Sequence, residues 1–261
     1  MVVIMLLFVF ASCRYIKYGV QLGFVAIALV MTAQNLLRVE AKDAPRTEQF
    51  VGLQLLVTAQ QLNKFEDFGK ALKLLDKYIA INKTDARAFY QRAVSYRALE
   101  KYQNSIVDLN TAIRLRPRYE AALYERARTY ENMGQSEKAI PDYTACIAIS
   151  PKDVDTITHR AAAYDRLKQY QKAIDDYTTI INRVPEDEDS LRSRGDIYYK
   201  IGDYKHAVRD YTESITQMND VAVTYYCRAR AYTKLGNKDL AAKDFAKAKE
   251  LGYVDHGKLA P

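Results

Sequence analysis

The chain is 261 residues long, 49% hydrophobic and 27% charged, which suits a folded body of one large or two small domains. Ten glycines and six prolines leave little room for long disordered stretches, and the net charge of +7 comes from 39 basic and 32 acidic residues too interspersed for a nucleic-acid signature. Three cysteines, Cys13, Cys146 and Cys227, form neither a disulfide framework nor a C-x-x-C pair, while 21 tyrosines without a tryptophan need a structural cause.

The N-terminus is apolar. Met1–Ala11 is too short to span a bilayer as a helix, but Gly19–Leu37 approaches the roughly 20 residues that a span takes. Arg14 and Lys17 precede it as a positive region, so residues 1–37 read as a hydrophobic helix serving as signal-anchor or signal peptide. The expectation is a chain anchored in a membrane or exported to the cell envelope, with the folded body outside the cytoplasm. Basic residues on both sides of the stretch barely choose an orientation, so the cytoplasmic face of the membrane stays open. A buried helix packed on the body is the other reading of this stretch. Residues 38–51 read as a polar linker, with Pro45, and the start of a first helix.

From residue 52 the chain repeats itself every 34 residues without an insertion, over 52–85, 86–119, 120–153, 154–187, 188–221 and 222–255, leaving a short tail at 256–261. The eighth place is always small: Ala59, Ala93, Ala127, Ala161, Gly195 and Ala229. So is the twentieth: Ala71, Ser105, Ala139, Ala173, Ala207 and Ala241. The eleventh is Leu62 and then Tyr96, Tyr130, Tyr164, Tyr198 and Tyr232; the twenty-fourth is Leu75, Leu109, Tyr143, Tyr177, Tyr211 and Phe245. Apolar residues recur three and four apart in both halves of each repeat, around a break near the fifteenth place at Gly134, Gly202 and Gly236. Each repeat therefore reads as two helices crossing closely where side chains are small, with large rings beside the crossing. Pro117, Pro151 and Pro185 close repeats two to four. One helix pair cannot bury its apolar face alone, so the pairs must stack, and most tyrosines belong to the core. Ala242 and Lys249 stand where earlier repeats carry aliphatics, so repeat six reads as its own cap. Pro141 falls inside a second helix, where a hydrogen bond is lost or the axis bends.

The small–Tyr–small–aromatic–Pro spacing over residues 52–255 closely resembles the tetratricopeptide repeat family. The resemblance implies an all-α, right-handed solenoid of six helix-turn-helix repeats whose first helices line a concave groove, and a groove that takes a protein or peptide. Its walls would come from the second, fifth, ninth, twelfth and thirteenth places. On this chain that points to Arg87, Tyr90, Arg97, Tyr124, Arg128, Arg192, Tyr226 and Arg230 as partner-binding residues. The basic and aromatic N-terminal half suits an acidic peptide, and Arg and Tyr are favoured interface anchors. The Lys and Asn clamp by which some members hold a terminal carboxylate is absent.

Arg stands at the seventh place of repeats two to six (Arg92, Arg126, Arg160, Arg194, Arg228) and Asp at the twenty-third (Asp108, Asp142, Asp176, Asp210, Asp244). Repeat one lacks both, with Thr58 and Leu74, so the two residues are expected to pair within a repeat rather than form a row of free guanidiniums. His159, His206 and His256 show no metal-ligand spacing, and no nucleophile or phosphate-loop motif occurs. No catalytic residue, metal, cofactor or small-molecule substrate is expected. The reading is a non-enzymatic interaction scaffold. A helical-repeat RNA-binding protein, using stacked arginines and tyrosines, is the alternative, and nucleic acid is the less favoured partner.

Overall fold

The computed structural model describes residues 44–254, and side chains from residue 51 onward. The hydrophobic stretch 1–37 and the tail 256–261 lie outside the described residues. Among the described residues there are twelve helices and no strand, and no helix is long and apolar enough to cross a membrane. The chain divides into two compact bodies, residues 1–84 and 85–261.

The first body contains α1 (Ala44–Lys64) and α2 (Phe68–Ile81). Helix α1 starts inside the stretch read as linker. Pro45 does not prevent this, because the first turn of a helix has no use for its N–H. Leu56, Ala59, Ala71, Leu75 and Tyr78 on these helices are buried.

The second body contains five helix pairs: α3 (Ala86–Ala98) with α4 (Tyr102–Leu115), α5 (Glu120–Asn132) with α6 (Ser136–Ile149), α7 (Val154–Arg166) with α8 (Tyr170–Arg183), α9 (Glu188–Lys200) with α10 (Tyr204–Gln217), and α11 (Ala222–Lys234) with α12 (Lys238–Glu250). Each first helix begins on the first place of its repeat. Helices next to each other in sequence pack against each other throughout this body.

The small places are where the helices cross. Ala93, Ala127, Ala161, Ala229, Ala139, Ala173 and Ala207 have no exposed surface, and Ser105 is equally enclosed. At Gly195 the approach is close, since a Cβ there would stand 2.8 Å from the Tyr211 ring. Leu109, Tyr143, Tyr177 and Tyr211, at the twenty-fourth place, are buried beside these crossings.

The turn between paired helices is set by the fifteenth place. Glu100, Gly134, Lys168, Gly202 and Gly236 all have positive φ there, between 57° and 84°. The next residue donates its N–H to the carbonyl of the eleventh-place tyrosine, as in Lys101 to Tyr96 at 2.8 Å and Gln169 to Tyr164 at 2.9 Å. The fifteenth residue itself donates to the twelfth, as in Lys168 to Asp165 at 2.8 Å. This pair of bonds is the Schellman ending, which closes the orphan carbonyls of the first helix. After the second helices, Arg116, Ser150 and Val184 leave helical geometry just before Pro117, Pro151 and Pro185, as a following proline requires.

Pro141 lies in the second turn of α6, and both it and Glu137 are exposed. The carbonyl that loses its N–H partner is therefore on the solvated side, where water replaces the missing bond.

Three substitutions test this packing. Ala161→Leu should overpack the α7–α8 crossing and cost about 1–3 kcal/mol in chemical denaturation; an unchanged midpoint would mean the crossing is elsewhere. Lys168→Gly should stabilise by about 1 kcal/mol, because the positive φ suits glycine, and Gly202→Lys should destabilise by a similar amount. Both follow from the same melting series.

Candidate partner-binding face

Each repeat of the second body carries one arginine fork. Arg126 Nε and Nη2 donate to Asp142 at 2.7 Å each, and Arg160, Arg194, Arg228 and Arg92 repeat the geometry on Asp176, Asp210, Asp244 and Asp108. The pairing is within a repeat, as the joint presence of the two residues predicts. The aspartates are buried, so the bidentate charge-assisted bonds are what makes their ionised form tolerable there.

The forks also have a third arm that the sequence reading missed. Nη1 donates to the twenty-fifth place of the preceding repeat: Arg126 to Asn110 at 2.7 Å, Arg160 to Thr144 at 3.2 Å, Arg194 to Thr178 at 3.0 Å and Arg228 to Thr212 at 3.1 Å. One guanidinium thus locks its own helix pair and ties it to the pair before. The signal was the run of oxygen-bearing side chains at that place.

The expected binding residues fall into three groups. Arg87 is held by Asp85, with its Nη2 2.7 Å from the carboxylate; Arg97 by the buried Glu125; and Arg192 by Asp189. Their charges are neutralised locally, so of the arginines expected in the N-terminal half, Arg87 and Arg97 are already paired. Tyr90, Tyr124 and Tyr226 are packed on other rings: Tyr90 on Tyr119 at 5.2 Å, Tyr124 edge-on to Tyr143 at 5.9 Å, and Tyr226 stacked on Tyr253 at 4.2 Å. Burial, with Glu125 adding to it, pushes the Tyr90 hydroxyl up to about 12, so this ring stays neutral. Arg128 and Arg230 form the third group. Arg128 lies over Tyr124 at 6.0 Å, and Arg230 over Tyr199 at 4.7 Å and Tyr226 at 6.0 Å. Neither has a carboxylate at ion-pair distance among the described residues.

Further pairs cross from one first helix to the next. Glu131 accepts from Arg166, and Lys200 Nζ lies 2.6 Å from Asp165. Glu131 also accepts from the Tyr143 hydroxyl at 3.0 Å. In repeats five and six a polar cluster sits under Arg230. Asp196 accepts from the Tyr211 hydroxyl at 2.7 Å and from the Cys227 thiol. Burial raises the Asp196 carboxyl above its usual range and, with Asp196 close by, pushes the Cys227 thiol up to about 12, which makes this cysteine a poor nucleophile. Tyr211 reaches Asp196 because Gly195 lets its ring lie against the helix backbone. Among the described residues no cluster could hold a metal ion.

His159 is half-buried and flanked by rings, parallel to Tyr143 at 5.8 Å and edge-on to Tyr124 at 5.7 Å. Burial first, and then the charge of Arg128, lower its pKa; Asp155 and Asp153 oppose them weakly. Glu131 lies 3.6 Å away but is already shared by Arg166 and Tyr143. The unfolded chain therefore binds a proton near the ordinary value of 6.5 that the folded chain does not. Stability from this site is present above that value and is lost as pH falls through it. Between about pH 7.5 and about pH 5.5 the wild-type melting temperature should fall more than that of His159→Phe. Asp196 titrates in both chains and cancels in the difference. Parallel curves would contradict the assignment.

Comparison with known proteins bears on the fold. Tetratricopeptide repeat family profiles match residues 86–119, 120–153 and 222–251, and a second profile of the same description matches 155–187. A search of the curated proteins gives no match. Among solved structures, the C-terminal part of a TPR repeat-containing protein from Cytophaga hutchinsonii is similar at 20% identity with a TM-score of 0.69, over 75% of this chain and 78% of that one. MamA from Desulfovibrio magneticus is similar at 21% identity with a TM-score of 0.60, over 64% of this chain and 95% of its own. YrrB, described as a TPR protein with an unusual peptide-binding site, is similar at 16% identity with a TM-score of 0.60, over 68% and 92%. With the crossings, Schellman turns and stacked helix pairs already described, these matches show that the chain belongs to the tetratricopeptide repeat family.

Proposed function

We propose that the chain is a non-enzymatic scaffold that binds a protein or peptide along the first-helix face of repeats two to six. The observation that carries the reading is the contrast among the arginines of that face. Arg87, Arg97 and Arg192 are held by carboxylates, whereas Arg128 and Arg230 lie over tyrosine rings with no carboxylate at ion-pair distance among the described residues. A guanidinium already ordered on a ring loses little further freedom when it meets an acidic side chain. The likeness to YrrB, which has a peptide-binding site, supports a peptide as the ligand class. Residues 1–37 would hold the scaffold at a membrane or carry it into the cell envelope, with the repeats outside the cytoplasm. The buried aspartates are occupied by their forks and Cys227 is held neutral, so neither supplies a reactive group to this face. The RNA reading loses support because so many of the basic groups that would meet phosphates are neutralised within the protein.

A library of extended peptides of graded acidity, presented to the full chain, tests this. Peptides rich in Asp and Glu should be enriched, and Arg128→Glu with Arg230→Glu should weaken their binding at least about tenfold with the melting curve unchanged. Enrichment of neutral or basic peptides, or affinity untouched by the double substitution, would contradict it. Binding to mixed-sequence single-stranded RNA with a steep salt slope would favour the alternative.

A further inference from the structure

The stacking contact between repeats follows one register. The ring at the twenty-fourth place of one repeat is covered by the sixth place of the next: Tyr143 stacks on His159 at 5.8 Å, the Tyr177 hydroxyl lies near Ser193, and Tyr211 packs with Cys227 and Ala231. The contact therefore has two halves, a ring on a second helix and a small or flat side chain on the following first helix.

Each half is left over in one repeat, the ring in repeat six and the covering side in repeat one. In repeat six the ring is Phe245, 37% exposed, whereas Tyr143, Tyr177 and Tyr211 are at most 5% exposed. It borders an open cavity of about 630 Å³ lined by Ala248, Lys249, Gly252, Tyr253 and Val254. In repeat one the sixth place is Val57, 44% exposed, one helical turn from Leu53, 47% exposed. This apolar pair stands on the side of α1 that matches the covering side of α7, α9 and α11.

We infer that these two surfaces are complementary halves of one interface, and that a second copy of this chain docks its α1, through Val57 and Leu53, on the Phe245–Val254 surface of the first. The occupant follows from continuity with the established repeat-to-repeat contact, since this chain itself carries a first helix whose covering side, at Leu53 and Val57, is exposed among the described residues. Such a contact is heterologous: each copy uses a different surface, so it propagates head to tail rather than closing as a two-fold dimer. Lys249 stands where interior repeats have Ile113, Ile147, Ile181 and Ile215. This charge makes the end face less apolar than an interior one, so the assembly is weak, reversible and concentration-dependent. The reading of repeat six as a cap holds at Ala242 and Lys249, which are exposed, and fails at Phe245.

Equilibrium sedimentation of the full chain in mild detergent tests the inference. The wild type should form dimers and then longer species as concentration rises. Val57→Lys and Phe245→Lys should each be monomeric alone, because each destroys one half. Mixed in equal amounts they should form a one-to-one dimer and nothing larger, since one intact head meets one intact tail. Val57 is 44% exposed, so its variant should melt as the wild type does, whereas Phe245 also packs edge-on to Tyr226 at 5.6 Å and its variant should melt lower with the helical circular dichroism kept; the dimer formed on mixing then separates loss of docking from loss of folding. A wild type monomeric at every concentration would overturn the inference; that is also the result if residues 1–43 cover Val57 instead. Assembly that persists in the Val57→Lys, Phe245→Lys double variant would overturn it too, placing the contact elsewhere.

Discussion

Two helices can approach closely only where neither carries a large side chain at the point of contact, and the second body is that constraint applied five times. Ala93, Ala127, Ala161, Gly195 and Ala229 on the first helices meet Ser105, Ala139, Ala173, Ala207 and Ala241 on the second. The rest follows from this approach. It leaves room beside the crossing for a ring at the twenty-fourth place, and it brings the seventh and twenty-third places within reach of a single guanidinium. The fork then spends two arms on its own repeat and, from Arg126 onward, the third on the repeat before it. Cooperativity between repeats thus has a polar component beside the apolar one.

The same geometry determines which groups remain available to a partner. Charges on the first helices are arranged in pairs that cross from helix to helix, such as Glu131 with Arg166 and Asp165 with Lys200. These pairs reduce the basic character that a count of residues suggests. What remains are guanidiniums laid over tyrosines, with the flat, amphipathic chemistry common at the centres of protein interfaces. The polar cluster of Asp196, Tyr211 and Cys227 beneath Arg230 is enclosed by its own hydrogen bonds. It supports the ring and guanidinium above it more than it offers groups of its own.

Features repeated at one place were legible in the sequence, and features made by two unlike places were not. The small crossings, the core tyrosines and the Arg–Asp forks were readable because repetition acts as an internal alignment: Thr58 and Leu74 show the fork disappearing as a unit. The pairing of Arg97 with Glu125 joins a twelfth to a sixth place, while that of Arg166 with Glu131 joins a thirteenth to a twelfth. No single spacing announces them. Gly195 stood out only as another small residue until the Tyr211 ring was seen against its backbone. Lys168 and Glu100 gave no turn signal of their own, because the positive φ at those places is imposed by the Schellman bonds rather than invited by glycine. Pro141 is tolerated for a reason visible only in three dimensions, its exposure alongside Glu137.

Amide hydrogen exchange resolved residue by residue across the second body tests the close-crossing account most directly. The slowest amides should recur every 34 residues, around Ala127, Ala161 and Gly195 on the first helices and Ala139, Ala173 and Ala207 on the second, and protection should fall off toward α12. Protection without that recurrence, or greatest on the charged faces away from the small residues, would contradict it.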